Sequence, residues 1–243
     1  MKSYFDKVYK GGAQEFGQEL NRRLAKEEKT FVVTANPETF MMGVQNPEFD
    51  RVLNNPRTII VPDGIGIVKG ARMLGYAMQE RVAGVDIVQR LFKYASEQKK
   101  SVYLFGAKRE VLERLIGKLK AEYPGLLLAG YSHGYVKDRD RIFRDIIAKK
   151  PDIVLVALGI PAQELLIDKY YDMFSKGIFV GVGGSFDVLS GTKKRAPGFF
   201  IRLNLEWLYR IGQEPKRFQR FYQSNIKYLS ELKKLKRKLK KKE

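Results

Sequence analysis

The chain has 243 residues, no cysteine, a single histidine (His133) and a net charge of +19. That length fits one α/β domain with a small appendage, and the missing cysteine excludes disulfides and thiolate metal sites. No run approaches the roughly 18 apolar residues of a spanning helix, and the start (MKSYFDKVYKGG) has no apolar leader core, so a cytoplasmic location is expected.

Short apolar runs alternate with segments of helical period. The runs are Phe31–Val33, Thr58–Val61, Val102–Phe105, Leu126–Leu128, Ile153–Leu158 and Ile178–Val182. Between them, Val85, Val88, Leu91 and Phe92 share one helix face, as do Val111, Leu112, Leu115 and Leu119. Strand–helix alternation with continuous apolar strands predicts a Rossmann-like α/β fold: a mostly parallel sheet with helices on both faces. The boundary falls at 196. Residues 1–196 form the α/β core, and residues 197–243 form a basic, amphipathic helical appendage. In that appendage Phe199, Phe200, Leu203, Trp207, Leu208 and Ile211 predict one helix. Pro215 predicts the start of a second, in which Phe218, Phe221, Tyr222, Ile226, Leu229, Leu232, Leu235 and Leu239 keep to one face. The upper part of that stripe (Phe218, Phe221, Tyr222) is expected to pack on the body, and the Lys-rich lower part to stay off it.

Charge follows the same division. From Lys193 onward there are 17 Lys and Arg against 4 Asp and Glu, a net of +13 that leaves +6 for the first 192 residues. Such asymmetry implies a polyanionic partner, either nucleic acid or an anionic membrane face. Aromatic stacking motifs are absent and the polar loops cluster elsewhere, which favours the membrane over nucleic acid. An interfacial helix has the pattern seen at the C-terminus.

Small and polar residues collect after the strands: Thr34-Ala35-Asn36, Pro62-Asp63-Gly64, Gly106-Ala107, Gly159-Ile160-Pro161 and Gly183-Gly184-Ser185. Turn preference alone would put them there, but five such loops on one edge of a parallel sheet mark a ligand site. Gly181 to Asp187 follows a strand and opens a helix. Its backbone amides suit a nucleotide diphosphate, and tight packing would use the same glycines. Gly106, Ala107, Gly183, Gly184 and Asp187 are the nucleotide-binding candidates. Asp63 is either a helix N-cap or a general base. Asp138-Arg139-Asp140 resembles the D-x-D metal motif of sugar-nucleotide transferases, but it follows no buried strand and is expected to cap a helix. No metal and no cofactor are therefore expected. His133 is expected to be structural.

Taken in order, these loops resemble the TagA/WecG/CpsF glycosyltransferases. The resemblance runs through Thr34–Glu38, Val61–Gly66, Arg81–Asp86, Phe105–Ala107, Gly159–Glu164, Gly183–Asp187, Gly191–Pro197 and Glu206–Arg210, and covers residues 5 to 221. It is strongest for the branch that makes the wall-teichoic-acid linkage unit. It implies inverting transfer of N-acetylmannosamine from UDP-ManNAc to undecaprenyl-diphosphate-GlcNAc in β-1,4 linkage, without metal. In family terms Asp63 matches the catalytic base, and Thr34, Asn36, Arg81 and Gln163 match residues lining the pocket. Arg210, Arg217 and Arg220 fall where the family's appendage places arginines near the lipid diphosphate. Related members use UDP-ManNAcA or UDP-glucose, and the residues leave the donor open. They also leave homo-oligomer formation open. The Lys-rich end beyond Tyr222 matches no family motif.

Overall fold

The apolar runs pair side by side in the computed structural model, which describes residues 1–213 and 216–241, with all their side chains except those of Arg210, Lys216, Arg217, Arg220 and Phe221. Among the described residues the strands are β1 (Thr30–Ala35), β2 (Thr58–Pro62), β3 (Ser101–Gly106), β4 (Leu127–Ser132), β5 (Ile153–Ala157) and β6 (Ile178–Gly181). All pair in parallel, in the order β2-β1-β6-β5-β3-β4. Helices α1 (Lys2–Lys7), α2 (Ala13–Ala25), α3 (Pro37–Gln45), α4 (Pro47–Asn54), α5 (Ile65–Met73), α6 (Gly84–Glu97), α7 (Arg109–Glu122), α8 (Arg139–Lys149), α9 (Ala162–Tyr170) and α10 (Ser185–Leu189) alternate with them. The last three helices are α11 (Gly198–Arg202), α12 (Glu206–Gln213) and α13 (Lys216–Lys240).

Alternate strand residues divide the core between two layers. Phe31, Val33, Phe105, Val154, Val156 and Phe179 point to the layer holding Tyr4, Phe5, Phe40, Phe49, Phe143 and Ile167. Val32, Leu104, Leu155 and Val180 point to the layer holding Leu20, Val88, Leu91, Leu112 and Phe186. Burial on both faces is why β1, β5 and β6 read as unbroken apolar runs. β4 sits at the sheet edge and differs from the expectation. Leu126 closes a turn onto the Tyr123 carbonyl, and the strand runs on through Ala129-Gly130-Tyr131-Ser132, half exposed and without an apolar signature.

The appendage departs from its expected form in two ways. The segment Phe199–Ile211 is two helices, because Asn204 adopts a left-handed φ of 59° between α11 and α12. Asn tolerates that conformation, and apolar periodicity does not register it. In α13 the apolar stripe spans about half the helix circumference, wider than one contact face. Tyr228 and Leu232 are each 1% exposed within the core layer of Tyr4 and Phe5, with Leu235 packed beside them. Phe218, Tyr222, Ile226 and Leu229 stay exposed. Leu232 and Leu235 of the lower part therefore pack, and Phe218 and Tyr222 of the upper part do not, the reverse of the expectation for these residues; the Phe221 side chain lies outside the described residues. The lysines cause no conflict, since they project from the outer side on long stems. Tyr228 Oη donates to the Gly66 carbonyl at 3.0 Å, and its ring occupies space that a side chain at Gly70 would fill.

Candidate active site

The carboxyl ends of β1, β2 and β6 converge, and most of the expected catalytic residues stand there. Thr34, near the end of β1, donates its Oγ1 hydrogen to the Gly181 carbonyl on β6 at 2.9 Å. Asn36 begins α3 with a reciprocal cap. Its Oδ1 accepts from the Thr39 amide at 3.0 Å, and Thr39 Oγ1 accepts from the Asn36 amide at 3.1 Å. Pro37 at the first helical position completes a strong start signal. Asn36 thus holds the strand-to-helix turn that borders the site.

Asp63 follows β2. Its amide is shared between the Ala35 and Val61 carbonyls at 2.9 and 3.0 Å, which welds the loop to β1. Its Oδ1 accepts from the Gly84 amide at 3.0 Å, so the carboxylate is aimed by the backbone at the start of α6. It does not cap α5, whose N-cap residue is Gly64. Gly64 packs against Asn36 with no room for a Cβ, and Gly84 lies against Thr34. The side chain of Asp63 is partly exposed, as a base that meets a substrate hydroxyl must be.

Arg81 is mostly buried beside this carboxylate and forms an ion pair with Glu206 of α12, Nη2 to Oε2 at 2.7 Å. Burial works against its charge. The carboxylates of Asp63, Glu206 and Asp86 outweigh that, so the guanidinium holds its proton more tightly than an ordinary arginine. The appendage is thereby fastened to the site through a residue 125 positions away. No local pattern in the sequence carries that pairing.

Gln163, in the first turn of α9, is 2% exposed, so it lies beneath the site rather than on its wall. Its Oε1 accepts from the amides of Gly159 and Gly183, both at 3.1 Å. Its Nε2 donates to Glu164 Oε1 at 2.7 Å. Glu164 is fully buried, its Oε2 has no hydrogen-bond partner, and burial pushes its carboxyl up to about 7. Sequence reading passed over Glu164 because an acidic residue in a first helical turn is common.

The nucleotide candidates occupy the same edge. Gly106 has φ of 124°, and a Cβ there would strike the Ala157 carbonyl. Ala107 (φ 56°) donates its amide to that carbonyl at 2.9 Å. Gly183 has φ of 49°, and Gly184 precedes α10, which has only five residues and so a short dipole. Asp187 folds the following loop: its carbonyl accepts from the Lys193 amide and Thr192 Oγ1, both at 2.9 Å, and its carboxylate faces Lys193 at 3.6 Å. Arg210, Arg217 and Arg220 lie on α12 and α13, with side chains outside the described residues. Away from this edge, Asp138 caps α8 through the Arg141 amide at 2.8 Å, while Asp140 binds Lys169 and Tyr170 Oη, both at 2.8 Å. The two carboxylates of the D-x-D run therefore serve different structural ends.

A groove of about 370 Å³ between α3 and α13, lined by Glu38, Met41, Gln45, Gln223 and Lys227, begins within one turn of Asn36. The appendage thus borders the strand-end site on two sides, through Glu206 and through α13.

Among known proteins, a family model described as "Glycosyl transferase WecG/TagA/CpsF family" matches residues 6–243. The chain is 45% identical over 197 residues to an N-acetylglucosaminyldiphosphoundecaprenol N-acetyl-beta-D-mannosaminyltransferase of Bacillus spizizenii, covering 81% of this chain and 76% of that protein. It is 43% identical over 189 residues to the protein of that name from Bacillus subtilis, covering 78% and 73%. With the one from Staphylococcus aureus it shares 35% identity over 212 residues, covering 87% and 82%. A model matched over nearly the whole chain, and relatives 35–45% identical over 78–87% of it, make this chain a member of the WecG/TagA/CpsF family of glycosyl transferases.

Proposed function

We propose that this enzyme transfers N-acetylmannosamine from UDP-ManNAc to undecaprenyl-diphosphate-linked GlcNAc, with inversion, forming the β-1,4 bond of the wall-teichoic-acid linkage unit. The observation that carries the reading is the partly exposed Asp63 carboxylate, aimed by the Gly84 amide and set beside Arg81, in a chain 45% identical to a mannosaminyltransferase. The acceptor hydroxyl attacks the anomeric carbon from the side opposite the UDP. Asp63 takes its proton, a contribution of about 10²–10⁴ in rate. Cationic groups offset the charge that develops on the leaving diphosphate. Arginine suits diphosphates because its planar fork matches phosphate oxygens, and Arg210, Arg217 and Arg220 of the appendage hold the acceptor by its lipid diphosphate. Thr34 and Asn36 shape the pocket edge, and Gln163 supports it from beneath. The loops at Gly106-Ala107 and Gly183-Gly184, with Asp187 behind them, receive the nucleotide.

Residues 1–196 form the catalytic core by role, and residues 197–243 serve the lipid substrate and the inner face of the cell membrane. Among the described residues no helix is long and apolar enough to cross a bilayer. Attachment is peripheral, through the exposed Phe218, Tyr222, Ile226 and Leu229 and a Lys-rich end carrying nine Lys and Arg against two Glu from Ile226 onward. Each such cation near an anionic leaflet contributes about 1 kcal/mol.

The test is incubation with a lipid-diphosphate-GlcNAc acceptor and a panel of UDP-ManNAc, UDP-ManNAcA and UDP-glucose. Turnover with UDP-ManNAc at least tenfold above the others is expected. Preference for either of the other donors overturns the donor assignment. Absence of transfer from all three overturns the reading as a whole.

A further inference from the structure

The Gln163 amide holds together two loops of the nucleotide edge, and one buried group anchors its other end. The Gly159 and Gly183 amides both donate to a single atom of this side chain. That atom must be the carbonyl oxygen, because an NH₂ group cannot accept. The NH₂ group then faces inward and needs an acceptor, and Glu164 Oε1 at 2.7 Å is the acceptor present. The pair fits only because β6 passes it as Gly181: a Cβ there would lie 2.7 Å from Gln163 Nε2 and 2.8 Å from Glu164 Oε1. Gly181 in turn receives the Thr34 hydroxyl on its carbonyl. A single chain of contacts thus runs from Glu164 through Gln163 to Gly159 and Gly183, and through Gly181 to Thr34.

We propose that Glu164 is a positioning residue of the transfer reaction: it fixes the Gln163 amide so that the Gly159 and Gly183 loops are held at the spacing that receives the nucleotide diphosphate. It touches no substrate. The assignment rests on the sugar-nucleotide reading for its ligand and on the hydrogen-bond geometry for its action. Burying a carboxyl with one unpartnered oxygen is costly. An apolar side chain would serve packing better, so a service to Gln163 accounts for its presence.

Glu164→Met keeps the volume and removes the acceptor. Glu164→Gln keeps an acceptor oxygen. Gly181→Ala keeps both groups and displaces them. Two quantities are measured on the full chain: hydrogen exchange at the Gly159 and Gly183 amides, and affinity for UDP. Glu164→Met and Gly181→Ala are expected to speed exchange at both amides at least tenfold and to weaken UDP at least tenfold. In turnover, KM for the donor should rise more than kcat falls, and Glu164→Gln should neither speed exchange nor weaken UDP binding or turnover. Unchanged exchange at both amides in a folded Glu164→Met protein overturns the proposal, as does a Glu164→Gln protein as impaired as Glu164→Met. If Glu164→Met does not fold, Gly181→Ala decides by the same exchange criterion. Failure of the parent protein to bind UDP overturns the sugar-nucleotide reading, and the exchange rates then decide the Glu164 assignment on their own.

Discussion

Replacing Glu164 by Gln should raise the stability of the protein, and only above acidic pH. The carboxyl is fully buried, and burial pushes it up to about 7 from an ordinary 4.5. As pH rises past 4.5 the unfolded chain releases this proton while the folded one keeps it. The unfolded state then binds fewer protons, so stability falls by about 1.4 kcal/mol per pH unit until the folded carboxyl also ionises near 7. The accumulated penalty is about 3 kcal/mol, fully present above pH 7 and absent below pH 4.5. Glutamine does not titrate and keeps the acceptor for Gln163. At pH 4 the acid hydroxyl and the amide NH₂ face the same place without a partner, so their costs cancel. The assay is urea unfolding of both proteins from pH 4 to 8. The curves should coincide at pH 4 and separate steadily to about 3 kcal/mol at pH 8, a midpoint shift of about 1 M if m is about 3 kcal/mol/M. A difference that does not vary with pH would refute the reasoning, because it would mean that Glu164 ionises alike in both states. A parent protein more stable than the variant at pH 8 would also refute it, by showing a charged and well-paired carboxylate.

Asp63→Asn, nearly isosteric but unable to take a proton, should lower kcat at least about 100-fold while UDP affinity stays within a few-fold; kcat within about threefold of the parent would remove Asp63 as base. Turnover should survive EDTA, since Asp138 and Asp140 are engaged with a helix terminus and with Lys169 and Tyr170. Loss of activity that Mg²⁺ or Mn²⁺ restores would refute the arginine account. Serine at Phe218, Tyr222, Ile226 and Leu229 together should weaken co-sedimentation with vesicles rich in anionic lipid and leave thermal unfolding unchanged, because all four are exposed. Binding indifferent to these changes and to salt would refute membrane attachment through α13.

The parts of the molecule that were legible in the sequence are those governed by local chemistry. Five strands announced themselves because burial on both faces demands unbroken apolar runs. Asp63 and Thr34 could be placed at one site because parallel strands end on one edge, whereas Arg81, which follows no strand, was placed there only by the family resemblance. β4 was misplaced because an edge strand need not be apolar on both faces, and its last four residues, Ala129–Ser132, carry no signal. The break at Asn204 turns on one backbone angle, to which apolar periodicity is blind. The α13 stripe showed that the helix is amphipathic, but which arc of it packs depends on the gap over Gly70 that accepts Tyr228. Gln163 was assigned to the pocket wall and lies beneath it, since hydrogen bonding to Gly159 and Gly183 is a matter of three loops meeting. Glu206 and Glu164 went unassigned for the same reason: the partner of one is 125 residues distant, and the significance of the other lies in its complete burial.

The central claim is a single in-line displacement at the anomeric carbon with Asp63 as base, and the anomeric configuration of the product tests it most directly. The new glycosidic bond, formed from UDP-ManNAc on the lipid-linked GlcNAc acceptor, can be read by NMR from the one-bond carbon–hydrogen coupling at its anomeric centre. The account predicts a β product, opposite to the donor's configuration, formed together with one UDP per bond. A product that retains the donor's configuration would require two successive displacements and a nucleophilic side chain, and would contradict it.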